Sequence, residues 1–83
     1  MLPGMVRGEF TIYPFIEGEA LPEHVQAAIA EINKAGLEVE VGPLSSTVTG
    51  PAGKVLDALH RAESAALAAG ATSIAIRLAV AGG

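Results

Sequence analysis

Two apolar stripes of helical spacing, each set between stretches that alternate apolar and polar residues, leave this chain few folds to choose from. From Met5 to Phe15, Val6, Phe10 and Ile12 fall on one side and Arg7, Glu9, Thr11 and Tyr13 on the other. That alternation is the period-2 signature of a half-buried strand. Pro14 and a solvated loop at Glu17-Gly18-Glu19 break it. Pro22 suits the first turn of a helix, and Val25, Ala28, Ile29 and Ile32 recur at i, i+3, i+4 and i+7 before Gly36 supplies a stop. Leu37, Val39 and Val41 alternate with Glu38 and Glu40 as a second strand, Gly42-Pro43 signals a turn, and a third short strand follows around Ser46 to Thr49. The pattern leaves open whether the turn centres on Gly42-Pro43 or on Leu44-Ser45, and a one-residue slip exchanges the faces of that strand. Beyond Gly50, Pro51 and Gly53 a second helix carries Val55, Leu59, Ala62, Ala66 and Ala69 as its stripe and ends at Gly70. Ser73 to Val80 closes the chain as a strand with Ile74, Ile76, Leu78 and Val80 on one side, ahead of a frayed Gly82-Gly83.

The order βαββαβ with right-handed crossovers gives a four-stranded antiparallel sheet of spatial order 4-1-3-2, with both helices on one face. The expected fold is therefore a ferredoxin-like α+β sandwich, one domain over residues 1–83. A chain of this size buries only about 60% of the surface that its unfolded form exposes. Yet 51% of its residues are hydrophobic and its mean hydropathy is +0.48, so a partner subunit, in a dimer or tetramer, is the expected outlet for the surplus. No run approaches the roughly 18 uninterrupted apolar residues of a membrane span. The opening MLPGMVRGEF has no apolar centre or cleavage site of a secretory signal, and a cytoplasmic location follows by default. With no Cys, disulfides and thiolate chemistry are excluded. A net charge of -4 argues against a nucleic-acid partner, which needs a basic stripe.

If both helices cover one side of the sheet, the other side carries Arg7, Glu9, Thr11, Tyr13, Glu38, Glu40, Thr47, Thr49, Ala75 and Arg77. Glu9, Thr11, Tyr13, Thr47 and Arg77 then share one neighbourhood, where a partner's cover would leave a pocket of carboxylate, hydroxyl and phenol groups. Glu9 and Arg77 can instead simply pair across strands. Ser45, Ser46, Thr47 and Thr49 form a dense hydroxyl cluster with no basic residue among them, chemistry suited to a small polar organic ligand; the plainer alternative is turn and edge-strand structure. Tyr13, the only tyrosine, offers a ring for stacking. His24 and His60 lack a second ligand at helical spacing, so no metal site is expected, and His60 is read as an i, i+3 surface pair with Asp57. No nucleophile elbow, phosphate loop or dinucleotide fingerprint occurs. The expectation is accordingly no catalytic residue and no cofactor.

The strand end Ile12-Tyr13-Pro14, the segment Glu40-Val41-Gly42-Pro43-Leu44 followed by Thr47 and Gly50, and the helix close Ala69-Gly70-Ala71 together resemble the small thiamine-binding protein family, also described as MTH1187/YkoF-like. The resemblance runs from about Val6 to Val80. It implies a ferredoxin-like fold, assembly into dimers or dimers of dimers, and non-enzymatic binding of thiamine (vitamin B1) or its hydroxymethylpyrimidine part in uptake or salvage. The family positions that transfer are Tyr13, Pro14, Gly42, Pro43 and Thr47. Such an aminopyrimidine suits the ligand-binding set Glu9, Thr11, Tyr13, Ser45, Ser46, Thr47 and Arg77. Two rival readings are a small α+β barrel-type enzyme of isomerase or monooxygenase kind, using His60 or Tyr13 in proton transfer, and a structural or regulatory oligomerisation domain.

Overall fold

The six expected elements form in the expected order: β1 (Met5–Tyr13), α1 (Glu23–Lys34), β2 (Val39–Val41), β3 (Ser46–Pro51), α2 (Ala52–Ala68) and β4 (Ser73–Val80). The structure, a computed structural model, describes residues 2–16, 18 and 21–82; Glu17 and Glu19 of the expected loop and the terminal Gly83 lie outside the described residues. The strands make one antiparallel sheet of order β2-β3-β1-β4, which is 4-1-3-2 read from its other edge, and the fold is the ferredoxin-like α+β sandwich.

Alternation along the strands decides what the helices cover. Val6, Phe10 and Ile12 of β1 and Val48 of β3 point to one side, where they join Ala28, Ile32, Val55, Ala58, Leu59, Ala62 and Ala66 of the two helices in one buried cluster. Small side chains dominate the helical share of this core, so α1 and α2 lie close together, and mid-strand Gly8 continues the theme. A Cβ added at Gly8 would sit 2.8 Å from Leu59 Cδ1 and 3.4 Å from Leu78 Cδ2. The missing side chain is what allows Leu59 down onto the sheet.

The hairpin register, open from sequence, falls between the two alternatives. Val41 pairs with Ser46 and Glu40 with Thr47, leaving Gly42 to Ser45 as a four-residue loop. The Gly42 N–H donates to Ser45 O at 2.8 Å, and a Cβ at Gly42 would lie 2.8 Å from that same oxygen. A glycine is therefore needed where the turn is tightest. This register sends Thr47 and Thr49 to the open face and Ser46 to the helix side, where it is 6% exposed.

Two polar details depart from expectation. His60 pairs with Glu63 (Nδ1 to Oε2, 4.0 Å), whereas Asp57 pairs with Arg61 one turn along (3.2 Å), because the guanidinium offers the better partner at i, i+4. His24, read only for metal binding, is buried at the start of α1, where its Nε2 donates to Pro14 O at 2.7 Å and ties the helix to the end of β1. Among the described residues no helix is long and apolar enough to cross a membrane.

Candidate functional site

Pairing between β1 and β3 stops at Phe10–Ser46, while β1 continues along β4 as far as Tyr13–Ser73. The last residues of β1 therefore have a strand on one side and a gap on the other. Ala81 N–H donates to Met5 O (3.0 Å), so by the alternation of antiparallel pairs the odd residues of β1 turn their backbone groups to β4 and the even ones to β3. Ile12, two residues past the final β3 pair, thus directs its N–H and C=O into the gap.

The hairpin loop and the connection into α1 wall that gap into a cavity of about 280 Å³. Phe10, Thr11 and Ile12 form one side, Val41 and the loop through Ser45 and Ser46 a second, and Phe15, Ile16, Leu21, Pro22 and Val25 the third. The volume lies near the lower end of ligand pockets, typically about 300–1,000 Å³, and suits a single ring better than a large cofactor. None of the described lining residues is charged. The polar groups it offers are the hydroxyls of Ser45 and Ser46 and the backbone of β1 on a largely apolar wall, since the Thr11 side chain belongs to the open-face set of β1. Ser46 stands out among them: the residue is only 6% exposed, and its hydroxyl makes no hydrogen bond within the described residues without being a sealed, unsatisfied atom. Phe15 supplies the exposed ring, and Tyr13 meets it edge-on with ring centroids 5.1 Å apart at 61°.

The seven residues singled out from sequence divide between two places. Thr11, Ser45 and Ser46 line the cavity, with Tyr13 behind Phe15. Glu9, Thr47 and Arg77 lie in a row across the open face, Glu40 opposite Thr47, Thr47 opposite Glu9 and Glu9 opposite Arg77. Although Glu9 and Arg77 are register partners, the ion pairs of the described residues all lie on the helices, and this one is not formed. Thr47 also borders a depression of about 550 Å³ with Arg7, Glu38, Glu40 and Thr49, which has charged walls and no aromatic ring.

Sequence reasoning missed the apolar part of the cavity. Phe15, Ile16, Leu21 and Leu44 are large hydrophobic residues in two turn segments, and all are exposed. Such residues beside Pro14 and Pro43, where turn chemistry favours small polar ones, were the available signal.

A family model described as thiamine-binding protein matches residues 8–81. Among solved structures, a domain of unknown function from Bacillus cereus is 26% identical, with a TM-score of 0.67, over 92% of this chain and 73% of that one. A candidate thiamine biosynthesis or salvage protein from Thermotoga maritima is 25% identical, with a TM-score of 0.64, over 90% and 80%. A Streptococcus pneumoniae protein shares the fold, with a TM-score of 0.70 at 15% identity over 95% and 87%. No curated protein matches the chain.

Proposed function

The chain belongs to the thiamine-binding protein family, and from that premise we propose that it binds thiamine, or the hydroxymethylpyrimidine part of thiamine, in the cavity at the end of the sheet. The observation that carries this reading is Ser46, a residue only 6% exposed whose hydroxyl makes no hydrogen bond among the described residues and is not a sealed, unsatisfied atom, so that it stays available on the wall of a ring-sized, largely apolar space. An aminopyrimidine presents donors and acceptors around the edge of a flat ring. The Ser45 and Ser46 hydroxyls and the backbone edge of Ile12 match that rim, and Phe15 provides a ring face or edge. With no charge among the described lining residues, the pyrimidine is the end that enters. The cationic thiazolium stays toward solvent, where the net charge of -4 favours it.

The proposed role is binding without catalysis, as a cytoplasmic homo-oligomer in thiamine uptake or salvage. Neither His24 nor His60 lines the cavity: His24 is engaged with Pro14, and His60 lies on the exposed side of α2. Isothermal titration with thiamine and with hydroxymethylpyrimidine tests the reading. Saturable heat with both is expected, and neither heat nor a melting shift at millimolar ligand would overturn it. A ligand held on the open face instead would respond to Thr47→Val and Glu9→Gln, and not to Ser46→Ala.

A further inference from the structure

The cavity wall that carries Phe15 and Ile16 stands between two spaces. Behind it lies a second cavity of about 480 Å³, bordered by Pro14, His24 and Gln26 and by Ala69 and Gly70 just after α2. Ile16 and Leu21 line both cavities. A segment with open space on either side has few packing contacts to fix it, and Phe15 and Ile16 are accordingly 57% and 42% exposed. Hydrogen bonds must then set where the wall stands.

One of these bonds comes from the backbone, where Thr72 N–H donates to Tyr13 O at 2.8 Å and holds the end of β1 to the approach to β4. Two others come from side chains in the first turn of α1. His24 Nε2 donates to Pro14 O at 2.7 Å, and Gln26 Nε2 donates to Leu21 O at 2.6 Å. Pro14 and Leu21 bracket the connection from β1 to α1, so both of its ends are fastened to one helical turn. Neither bond serves the helix itself. What a helix N-terminus lacks is acceptors for its free N–H groups, whereas His24 and Gln26 supply donors, and both donate to carbonyls of the preceding chain.

We infer that His24 and Gln26 are positioning residues for the ligand, holding the connection where Phe15 meets the bound ring. The second cavity is the space into which the wall falls back when either bond is lost. The inference rests on the proposed binding in the cavity at the end of the sheet and adds the groups that set its width. His24 carries the larger share, because its bond is partly buried while that of Gln26 is exposed to water. It acts one peptide away from Phe15. Fixing the Pro14 carbonyl fixes the plane of the peptide that joins Pro14 to Phe15, and with it the direction in which Phe15 leaves the chain. Tyr13 then meets the Phe15 ring edge-on.

Two replacements at one position test this. His24→Phe keeps a ring and removes the donor, whereas His24→Gln gives up the ring and keeps an N–H the same number of bonds from Cα as Nε2. If His24 only fills space, Phe is the better substitute; if it positions the wall, Gln is. In isothermal titration with hydroxymethylpyrimidine, His24→Phe should raise Kd about 2- to 12-fold, the equivalent of one neutral hydrogen bond, and His24→Gln should stay within about twofold of the wild type. In nuclear magnetic resonance of the free protein, contacts between the Tyr13 and Phe15 rings should persist in His24→Gln and weaken in His24→Phe, with circular dichroism confirming that each variant folds. Gln26→Met, at an exposed position that does not put the fold at risk, is an independent arm: Kd should rise about twofold, and an unchanged Kd would overturn the role of Gln26. Equal affinity of His24→Phe and the wild type, or His24→Gln binding no better than His24→Phe, would overturn the role of His24 while leaving the cavity reading standing. A wild-type protein that binds no hydroxymethylpyrimidine would overturn the cavity reading. Ring contacts unchanged in His24→Phe would overturn the positioning role whether or not ligand binds.

Discussion

Replacing Ser46 by alanine separates the ligand site from the fold more cleanly than any other change. In the free protein the hydroxyl has no hydrogen-bond partner among the described residues, and the residue is only 6% exposed. Ser46→Ala therefore removes no internal bond, and its effect on stability should stay within about 0.5 kcal/mol, roughly 3 °C in melting temperature for a domain of this size. In the complex the same hydroxyl bonds the pyrimidine rim, a neutral hydrogen bond worth about 0.5–1.5 kcal/mol. At about 1.4 kcal/mol per factor of ten, Kd should rise roughly 2- to 12-fold. The assay is isothermal titration with thiamine beside a thermal melt, with Thr47→Val as the comparison, since Thr47 faces the opposite side of the sheet and should leave Kd unchanged. Two results would refute the reasoning: a melting temperature lowered by about 4–8 °C, which signals that the hydroxyl is bonded within the fold, or unchanged affinity with the fold intact.

Further expectations follow from the same geometry. Phe15→Ala should weaken thiamine binding by about 0.5–1.5 kcal/mol through the lost ring contact, with little change in melting, because Phe15 is exposed. Gly42→Ala drives a Cβ to 2.8 Å from a backbone oxygen and should both weaken binding, by opening the hairpin loop that walls the cavity, and destabilise by about 1 kcal/mol; titration and urea unfolding read the two effects. Gly8→Ala should cost about 1–3 kcal/mol in urea unfolding, because Leu59 must leave its place on the sheet. Ile32→Ala, at a fully buried position, should cost about 2–5 kcal/mol in the same assay without altering the cavity wall.

The fold was legible because each element repeats its period: three apolar residues alternate along β1, four along β4, and the helix stripes run through about two turns in α1 and about four in α2. The hairpin was legible only to within its turn. Gly42-Pro43 and Leu44-Ser45 are both good turn pairs, and what selects the four-residue loop is the Val41–Ser46 pairing, a long-range choice that puts Val48 in the core. That choice also decides the hydroxyls, sending Thr47 to one face and Ser46 to the other. The cavity was less legible still, since it arises where β3 stops short of β1. No local pattern announces a missing strand partner. His24 shows the same limit, for its hydrogen bond to Pro14 spans ten residues and depends on how α1 meets β1.

The most direct test is a titration of the isotopically labelled protein with thiamine, followed amide by amide in nuclear magnetic resonance. If the pyrimidine enters the cavity at the end of the sheet, the largest shifts belong to Ile12, Phe15, Leu44, Ser45 and Ser46, while Arg7, Thr49 and Arg77 remain still. Shifts centred on Glu9, Thr47 and Arg77, with the hairpin loop unmoved, would contradict the account.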